Sequence, residues 1–283
     1  MKKLGLLFGA LLSLLFPVHA FQDLDLIVAG DKVVDGAGNP WYKADVGIRD
    51  GAIVEIGDLH GRKTKSVLEA KGRLVTPGFI DMMSGTSAIL LRDPAAAQSK
   101  LQQGITTIMC GEGGSDAPQT EAMMNPEDLK LGLRWRTFGE LFQLLEKCGI
   151  PLNVVHNVGA AQVRAVVMGV EDRLPTSSEL AAMKEHVAQA MRDGAVGLST
   201  ALIYPPGPYA KTDELVELAK VAGEYGGFYA THMRNESSGV LNAIREALEI
   251  GEKARLPVHT RVWASPARAG RSRSNRPWDA AAG

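Results

Sequence analysis

The sequence has no marked excess of either charge, contains little cysteine, and begins with an apolar run that is too short to cross a membrane. Its formal net charge is -1 over 283 residues, so the charge balance gives no indication of a nucleic-acid partner. Cys110 and Cys148 are its two cysteines. We expect both thiols to be unpaired, because one falls in a predicted buried strand and the other at the end of a predicted helix. The apolar run from Leu4 to Phe16 is shorter than the roughly 20 residues of a transmembrane helix.

This run is typical of a secretory signal peptide. Lys2 and Lys3 precede it, and Pro17-Val-His-Ala20 places small or short residues where a signal peptidase cleaves. We therefore expect a signal peptide over residues 1–20 and a mature chain that is periplasmic or secreted, with no membrane span after cleavage. An uncleaved N-terminal anchor is the alternative.

Two different patterns follow the signal peptide. Residues 21–74 contain short runs of alternating apolar residues separated by Gly, Asp and Asn, which predict a small β-domain of antiparallel strands and hairpins. Its strongest hairpin signal is Asp50-Gly51. From residue 75 to residue 259, strand-like runs alternate with amphipathic segments of helical period, which predict parallel β/α units. Among them are a helix from Asp93 to Gln103, a strand from Ile105 to Cys110 and a helix from Phe138 to Lys147. The predicted fold class is therefore α/β, a β/α barrel with a small N-terminal β-domain.

The barrel is predicted to be incomplete. About six strand-helix units can be counted after Pro77, whereas a closed eight-unit barrel usually takes about 250 residues. The last 24 residues, 260–283, add no unit, since they contain five Arg, six Ala and two Trp but no Lys, Glu, Leu, Ile or Met. We interpret them as an anomalous tail that follows a frameshift or truncation near His259. A disordered basic tail is the alternative.

Polar side chains at the predicted strand ends are the candidates for a functional site, because catalytic groups of β/α barrels stand there. The candidates are Asp81, Ser84, Glu112, His156, Asn157, Ser199, Tyr204, His232, Arg234 and His259. Glu112 lies between glycines that permit a tight backbone path, and His232 offers an imidazole. A carboxylate and an imidazole suit a catalytic zinc, although two ligands alone hold it weakly. A hydrogen-bonding role for Glu112 and a core role for His232 remain open.

Eight phrases of the chain keep a specific order and spacing. They are Asp23-Leu-Asp-Leu-Ile-Val-Ala-Gly30, Val34-Asp-Gly36, Ala44-Asp-Val-Gly-Ile48, Val75-Thr-Pro-Gly-Phe-Ile-Asp81, Gln103-Gly-Ile-Thr-Thr107, Arg192-Asp-Gly-Ala-Val-Gly-Leu-Ser-Thr200, Tyr204-Pro-Pro-Gly-Pro-Tyr-Ala210 and His232-Met-Arg-Asn-Glu236. Together they resemble the N-acyl-D-amino-acid deacylases, or D-aminoacylases, of the amidohydrolase superfamily. The resemblance runs from about Asp23 to His259. It implies a (β/α)8 barrel, a small β-sandwich built from both chain ends, and zinc-assisted hydrolysis of an N-acyl bond on a D-amino acid.

The resemblance also implies which residues bind metal. Glu112 stands where the family has a bridging cysteine, with one residue deleted, and Cys110 is a rival for that position. His232 matches a zinc histidine of the family. The next zinc histidine should fall near Val262, within the anomalous tail.

One departure from the family lies within a well-matched segment. Met83 and Gly85 replace a pair of histidines at the first strand end, which implies one zinc per site instead of two. The general-base aspartate of the family is expected beyond residue 283, so no catalytic residue is assigned in this chain.

The expected function is that of an exported, zinc-dependent amidohydrolase that cleaves the amide of a small N-acyl amino acid or a related amide. Tyr204 and Arg234 are candidates for binding the substrate carboxylate, because a phenol and a guanidinium donate hydrogen bonds to it. A structural role at the barrel rim is their alternative. The chain as given is expected to be truncated and inactive. Two other functions stay open: a non-enzymatic binding protein on a scaffold that has lost its metal, and an amidohydrolase for a cyclic amide or dipeptide.

Overall fold

The chain divides into two units after Pro77. The computed structural model describes residues 23–30 and 32–261, and the two compact units are residues 1–77 and 78–283. The division falls slightly later than the predicted one after residue 74, because Leu74–Val75 forms a short strand that pairs within the first unit. The predicted signal peptide and residues 262–283 lie outside the described residues. The predicted boundary of the tail at residue 260 is wrong by two residues, because Thr260 and Arg261 belong to the strand Val258–Arg261.

The first unit consists of β-strands. They are β1 (Leu24–Ala29), β2 (Lys32–Val33), β3 (Asp45–Arg49), β4 (Ala52–Gly57), β5 (Thr64–Glu69) and β6 (Leu74–Val75). Four of them form a sheet in the order β4-β3-β1-β5, and β2 pairs with β6. Two small apolar clusters stabilise the unit, Leu24 with Ile27 and Leu59, and Val33 with Ala44 and Val46.

The strand pairing confirms one expectation and corrects another. β3 and β4 form the predicted antiparallel hairpin. Its turn residues Asp50 and Gly51 both have positive φ, 51° and 74°, as a two-residue type I′ turn requires. However, β5 runs parallel to β1 and β6 runs parallel to β2, so the prediction of antiparallel pairing is wrong there. Alternating apolar residues indicate the buried face of a strand but not the direction of its neighbour.

The second unit is built on a parallel sheet. Its strands are β7 (Phe79–Asp81), β8 (Ile105–Cys110), β9 (Asn153–Gly159), β10 (Gly197–Ala201), β11 (Phe228–His232) and β12 (Val258–Arg261). They are hydrogen-bonded in chain order, and every neighbouring pair is parallel. A sequential parallel sheet with helical connections is the pattern of a β/α barrel. The predicted α/β fold, an incomplete barrel of six strands with a small N-terminal β-unit, is therefore confirmed.

Helices lie between the strands of the second unit. They are α1 (Ile89–Arg92), α2 (Gln98–Leu101), α3 (Pro126–Lys130), α4 (Phe138–Cys148), α5 (Ala160–Met168), α6 (Ser177–Arg192), α7 (Thr212–Glu224) and α8 (Val240–Ala254). Thr137 and Thr176 begin α4 and α6 with capping boxes, in which each Thr accepts a backbone N–H while a Glu side chain accepts the N–H of the cap. The buried faces of α4 to α8 and the sheet share one apolar core.

Two helical segments differ from the sequence prediction. A single helix from Asp93 to Gln103 is predicted, but the structure contains α1, a 3₁₀ turn over Pro94–Ala97 and α2. Asp93 has an extended conformation and its side chain accepts the N–H of Ala95. Pro94 has no N–H and excludes a helical residue before it, so α1 ends there. The other difference is α5, which has no counterpart in the prediction because Gly159 gives it no side-chain cap.

A buried ion pair joins α5 to α7. Nη1 of Arg164 donates to both carboxylate oxygens of Glu214 at 2.8 and 2.7 Å. The two side chains are only 1% and 4% exposed. Nη2 of Arg164 also donates to the carbonyls of Glu171 and Arg173, which holds the loop before α6. This pair is a structural element of the helical layer.

Cys110 and Cys148 are unpaired, as predicted. Cys110 is buried within β8, whereas Cys148 is exposed at the end of α4. Within the part of the chain that the structure describes, no helix combines the length and the apolarity needed to cross a membrane.

Candidate metal centre

Glu112 and His232 meet at the carboxyl ends of two strands that are not neighbours. Oε2 of Glu112 lies 3.9 Å from Nε2 of His232. Glu112 follows β8 and His232 ends β11, with β9 and β10 between them. In a flat sheet, three strand spacings would separate these strands by about 14 Å. The sheet therefore curls, and the two side chains point into the same space from opposite sides of it.

Two glycines determine where Glu112 points. Gly111 and Gly113 have positive φ angles of 85° and 91°. A Cβ on Gly111 would overlap the carbonyl of Asn157, and a Cβ on Gly113 would lie 2.5 Å from the backbone nitrogen of Ala201. Only glycine permits both the turn and these close approaches. The turn ends the strand alternation of β8 and redirects the chain, so that Glu112 faces His232.

Gly85 contacts this turn and Glu112 through its backbone. Its N–H donates to Oε1 of Glu112 at 3.3 Å, and its carbonyl accepts the N–H of Gly111 at 2.9 Å. Met83 is 37% exposed. The two residues that replace the expected histidine pair thus contribute a backbone donor to Glu112 and an apolar side chain, and neither supplies a metal ligand.

Asp81 is held at the end of β7. Its carboxylate accepts hydrogen bonds from Lys100, from the hydroxyl of Ser84 at 2.7 Å and from the N–H of Met83 at 2.9 Å. Burial alone would raise the pKa of Asp81, but these hydrogen bonds outweigh it and lower the pKa to about 2. The carboxylate is therefore ionised and engaged in fixing the strand end.

Cys110 lies in the apolar core. It is 0% exposed and belongs to the same cluster as Ile108 and Phe138. Burial, together with the carboxylates of Asp116 and Glu112, raises the pKa of its thiol. Glu112 does not continue the strand alternation of Cys110, because the turn at Gly111 interrupts it. This environment favours Glu112 over Cys110 as the candidate ligand.

A second carboxylate approaches His232 from the other edge of its ring. Oε1 of Glu236 lies 3.6 Å from Nδ1 of His232, and the two side chains are 10% and 7% exposed. Sequence reasoning assigns no role to Glu236. The available signal is a carboxylate four residues after a strand-end histidine. The bend after β11 brings this carboxylate back to the Nδ1 edge of the ring.

His156 has a structural environment. It is completely buried and packs against the rings of Phe138 and Phe142. Its Nε2 lies 2.8 Å from the hydroxyl of Ser87 and 3.4 Å from Asp116. Burial lowers the pKa of His156, against the opposing charge of Asp116. This polar cluster lies in the core and fixes the loops that follow β7 and β8.

The two residues predicted to bind a substrate carboxylate have different surroundings. Arg234 forms a two-pronged ion pair with Glu246 at 2.9 and 2.8 Å, and donates to the carbonyls of Pro208 and Ala210. All three guanidinium nitrogens are therefore engaged, Nη1 and Nη2 by the loop after β10 and Nε by Glu246, and this arrangement gives no support to a substrate-binding role. Tyr204 is 60% exposed on the same loop. Its predicted role stays a prediction.

Glu112 and His232 form a partial ligand set. Catalytic zinc takes three protein ligands and one open position. Within residues 23–30 and 32–261, no group of three His, Cys, Asp or Glu side chains could hold a metal ion. The predicted third position, Val262, lies outside the described residues. A metal here needs at least one further ligand from elsewhere.

Comparison with known proteins identifies the class. No protein-family model matches the sequence. The D-aminoacylase of Alcaligenes xylosoxydans xylosoxydans is 34% identical over 264 residues, which cover 90% of this chain and 54% of that protein. A crystal structure of D-aminoacylase that defines a novel subset of amidohydrolases matches with a TM-score of 0.77 at 34% identity, over 84% of this chain and 51% of that one. The parallel sheet of the second unit thus belongs to the architecture of an amidohydrolase.

A further relative narrows this class. N-acyl-D-glutamate deacylase from Bordetella bronchiseptica, solved with zinc and a phosphonate mimic of the tetrahedral intermediate, matches with a TM-score of 0.75 at 34% identity, over 84% of this chain and 51% of that one. The predicted resemblance is confirmed: this chain is a relative of the D-aminoacylases and N-acyl-D-amino-acid deacylases. It spans about half the length of the relatives that it matches.

Proposed function

We propose that this chain carries the metal-binding part of a zinc-dependent hydrolase of N-acyl-D-amino acids. The single observation that supports this most is the convergence of Glu112 and His232, 3.9 Å apart, from strands that a flat sheet would hold well separated. The similarity to deacylases, one of them solved with zinc, supports the choice of metal and of substrate class.

In this proposal Glu112 and His232 are two ligands of one zinc, and a further ligand comes from outside the described residues. When bound, such a metal polarises an amide carbonyl and lowers the pKa of water. The chain's own residues prepare the site. Gly111 and Gly113 fix the direction of Glu112, and the Gly85 N–H holds one of its oxygens so that the other faces His232.

Metal binding tests the proposal directly. The full chain, Glu112→Ala and His232→Ala would be titrated with zinc in competition with a chelating dye. Glu252→Ala and His60→Ala are matched controls, because both residues are exposed. We expect wild type and controls to bind about one zinc, and each ligand variant to bind at least about 10-fold more weakly. No zinc on the wild type, or equal affinity in all variants, would contradict the assignment and favour a non-enzymatic binding protein.

Substrate class needs a separate measurement. A phosphonate analogue of N-acetyl-D-methionine and its L-enantiomer would be tested for binding to the zinc-loaded and the metal-free chain. The proposal expects metal-dependent binding with preference for the D form. Equal binding of both enantiomers, or a preference for a cyclic amide or dipeptide analogue, would favour an amidohydrolase of another kind.

We also propose that this chain by itself has little deacylase activity and is exported. Low activity is supported by a ligand set that is incomplete within the described residues. Assaying N-acetyl-D-methionine with added zinc tests it, and robust turnover contradicts it. Export is supported by Lys2, Lys3 and the apolar run that follows them. Fractionation of cells that express the full chain, with mass spectrometry of the new N-terminus, should find cleavage after Ala20.

A further inference from the structure

We infer that Glu236 is a positioning residue that fixes the ring of His232, so that Nε2 is the nitrogen presented to Glu112 and to a metal. The inference rests on the proposed function, because that function makes the Nε2 edge the metal-facing one. His232 lies between two carboxylates, with Glu112 Oε2 at 3.9 Å from Nε2 and Glu236 Oε1 at 3.6 Å from Nδ1.

Glu236 cannot share a metal with Glu112 through this ring. The two ring nitrogens point in opposite directions, and each carboxylate faces a different one. A metal on Nε2 lies on the far side of the imidazole from Glu236. A role of Glu236 at that metal would therefore be exerted through the histidine.

The backbone around Glu236 is held on both sides. Arg234 is anchored by Glu246 and by two carbonyls of the loop after β10. Oδ1 of Asn235 accepts the N–H groups of Ser237 at 2.9 Å and of Gly239 at 3.0 Å. A bend that is fixed at its flanking residues keeps the Glu236 carboxylate beside Nδ1 of His232.

A neutral imidazole carries one N–H, and a carboxylate facing one ring nitrogen favours the tautomer that places the proton on that nitrogen. Nδ1 of His232 is buried and makes no hydrogen bond in the described structure. A shift of about 0.5 Å would bring Glu236 within the 2.7–3.2 Å of a hydrogen bond. The Nδ1–H form leaves the lone pair on Nε2, where a metal needs it.

Glu112 competes for the same proton. In the Nε2–H form, His232 would donate to Glu112 and could not bind a metal at that nitrogen. Glu236 is the more buried of the two carboxylates, 10% against 20% exposed, so water screens its attraction for the ring proton less. We therefore expect the metal-free protein to hold His232 as the Nδ1–H tautomer.

The tautomer can be measured by NMR without an activity assay and without bound metal. The metal-free full chain would be labelled with ¹⁵N-histidine, and long-range ¹H–¹⁵N spectra recorded at a pH where the ring is neutral, with His232→Gln used to assign the signal. We expect Nδ1–H in the wild type and in Glu252→Ala, and a shift to Nε2–H in Glu236→Ala. Glu236→Gln keeps the shape, loses the charge and should lower the Nδ1–H fraction, so it carries the test should the alanine variant fail to fold.

Zinc affinity gives the second readout. Loss of a carboxylate behind a ligand histidine typically weakens metal binding 10- to 100-fold, and we expect this range for Glu236→Ala and no change for Glu252→Ala. An Nε2–H tautomer in the wild type, or an unchanged tautomer in Glu236→Ala and Glu236→Gln, would overturn the inference. A wild type that binds no zinc yet shows the expected tautomers would refute the proposed function and leave the positioning role of Glu236 supported.

Discussion

Gly113 offers the sharpest test of how the loop after β8 sets the direction of Glu112. Its φ is +91°, and a Cβ built on it would lie 2.5 Å from the backbone nitrogen and 2.6 Å from the Cβ of Ala201. Neither atom belongs to a flexible side chain, so a Gly113→Ala variant can relieve the overlap only by moving the backbone. Such a movement should displace Glu112 from His232.

The size of the effect follows from three contributions. A left-handed conformation costs an alanine about 1–2 kcal/mol, and overpacking typically costs about 1–3 kcal/mol. Reduced freedom of the unfolded chain returns about 0.4–1 kcal/mol. We expect Gly113→Ala to lower the free energy of unfolding by about 2–4 kcal/mol.

Gly114→Ala is the matched control. It adds the same methyl group one residue later, where a Cβ meets nothing within 4 Å and no left-handed φ is required. We expect its stability to equal or slightly exceed that of the wild type. Denaturant unfolding and zinc competition titration would be measured for both variants. If Gly113→Ala and Gly114→Ala unfold at the same midpoint, or bind zinc equally well, the close approach to Ala201 does not control the site.

Three further changes test other parts of the second unit. Arg164→Met leaves Glu214 as an unpaired buried carboxylate and should cost about 3–5 kcal/mol in denaturant unfolding, whereas adding Glu214→Leu should recover part of that loss; a double variant less stable than the single one contradicts this account. The pKa of Asp81 is about 2 in the folded chain against its usual 3.8, so the stabilisation it provides is present above pH 3.8 and is lost as the pH falls through about 2. The wild type should therefore lose stability over this pH range relative to Asp81→Asn. If the free energies of unfolding of the two proteins fall in parallel as the pH is lowered, the idea is ruled out. Cys110→Ser should lower stability but leave zinc affinity unchanged, since the thiol lies in the core, and a loss of bound zinc would restore Cys110 as a ligand.

Much of the fold could be predicted from sequence pattern alone. The predicted strand Ile105 to Cys110 and the helix that begins at Phe138 agree with the structure, because apolar period and capping residues are local signals. The break at Pro94 and the parallel pairing of β5 with β1 are not captured. The first depends on a cap and a proline within an apolar segment, and the second depends on which edge of the sheet the chain returns to.

The candidate site was likewise only partly predictable from the sequence. Glu112 and His232 could be chosen from strand-end position and residue chemistry, and they do come together. Glu236 could not be recognised, because its approach to Nδ1 depends on the bend after β11. Arg234 is predicted to bind substrate from its charge and position, whereas its environment includes Glu246, which comes from α8 and which no pattern near Arg234 reveals. Partners that are distant in the chain are the information that local patterns lack.

The curl of the six-stranded sheet has a mechanical consequence. Glu112 and His232 sit at two points on an arc, with β9 and β10 forming the stretch between them. An ion that binds both side chains links the two ends of that arc and opposes its flattening. Metal binding should therefore restrict the motion of the intervening strands. Zinc should slow amide hydrogen exchange in β9 and β10, although neither strand supplies one of the two proposed ligands.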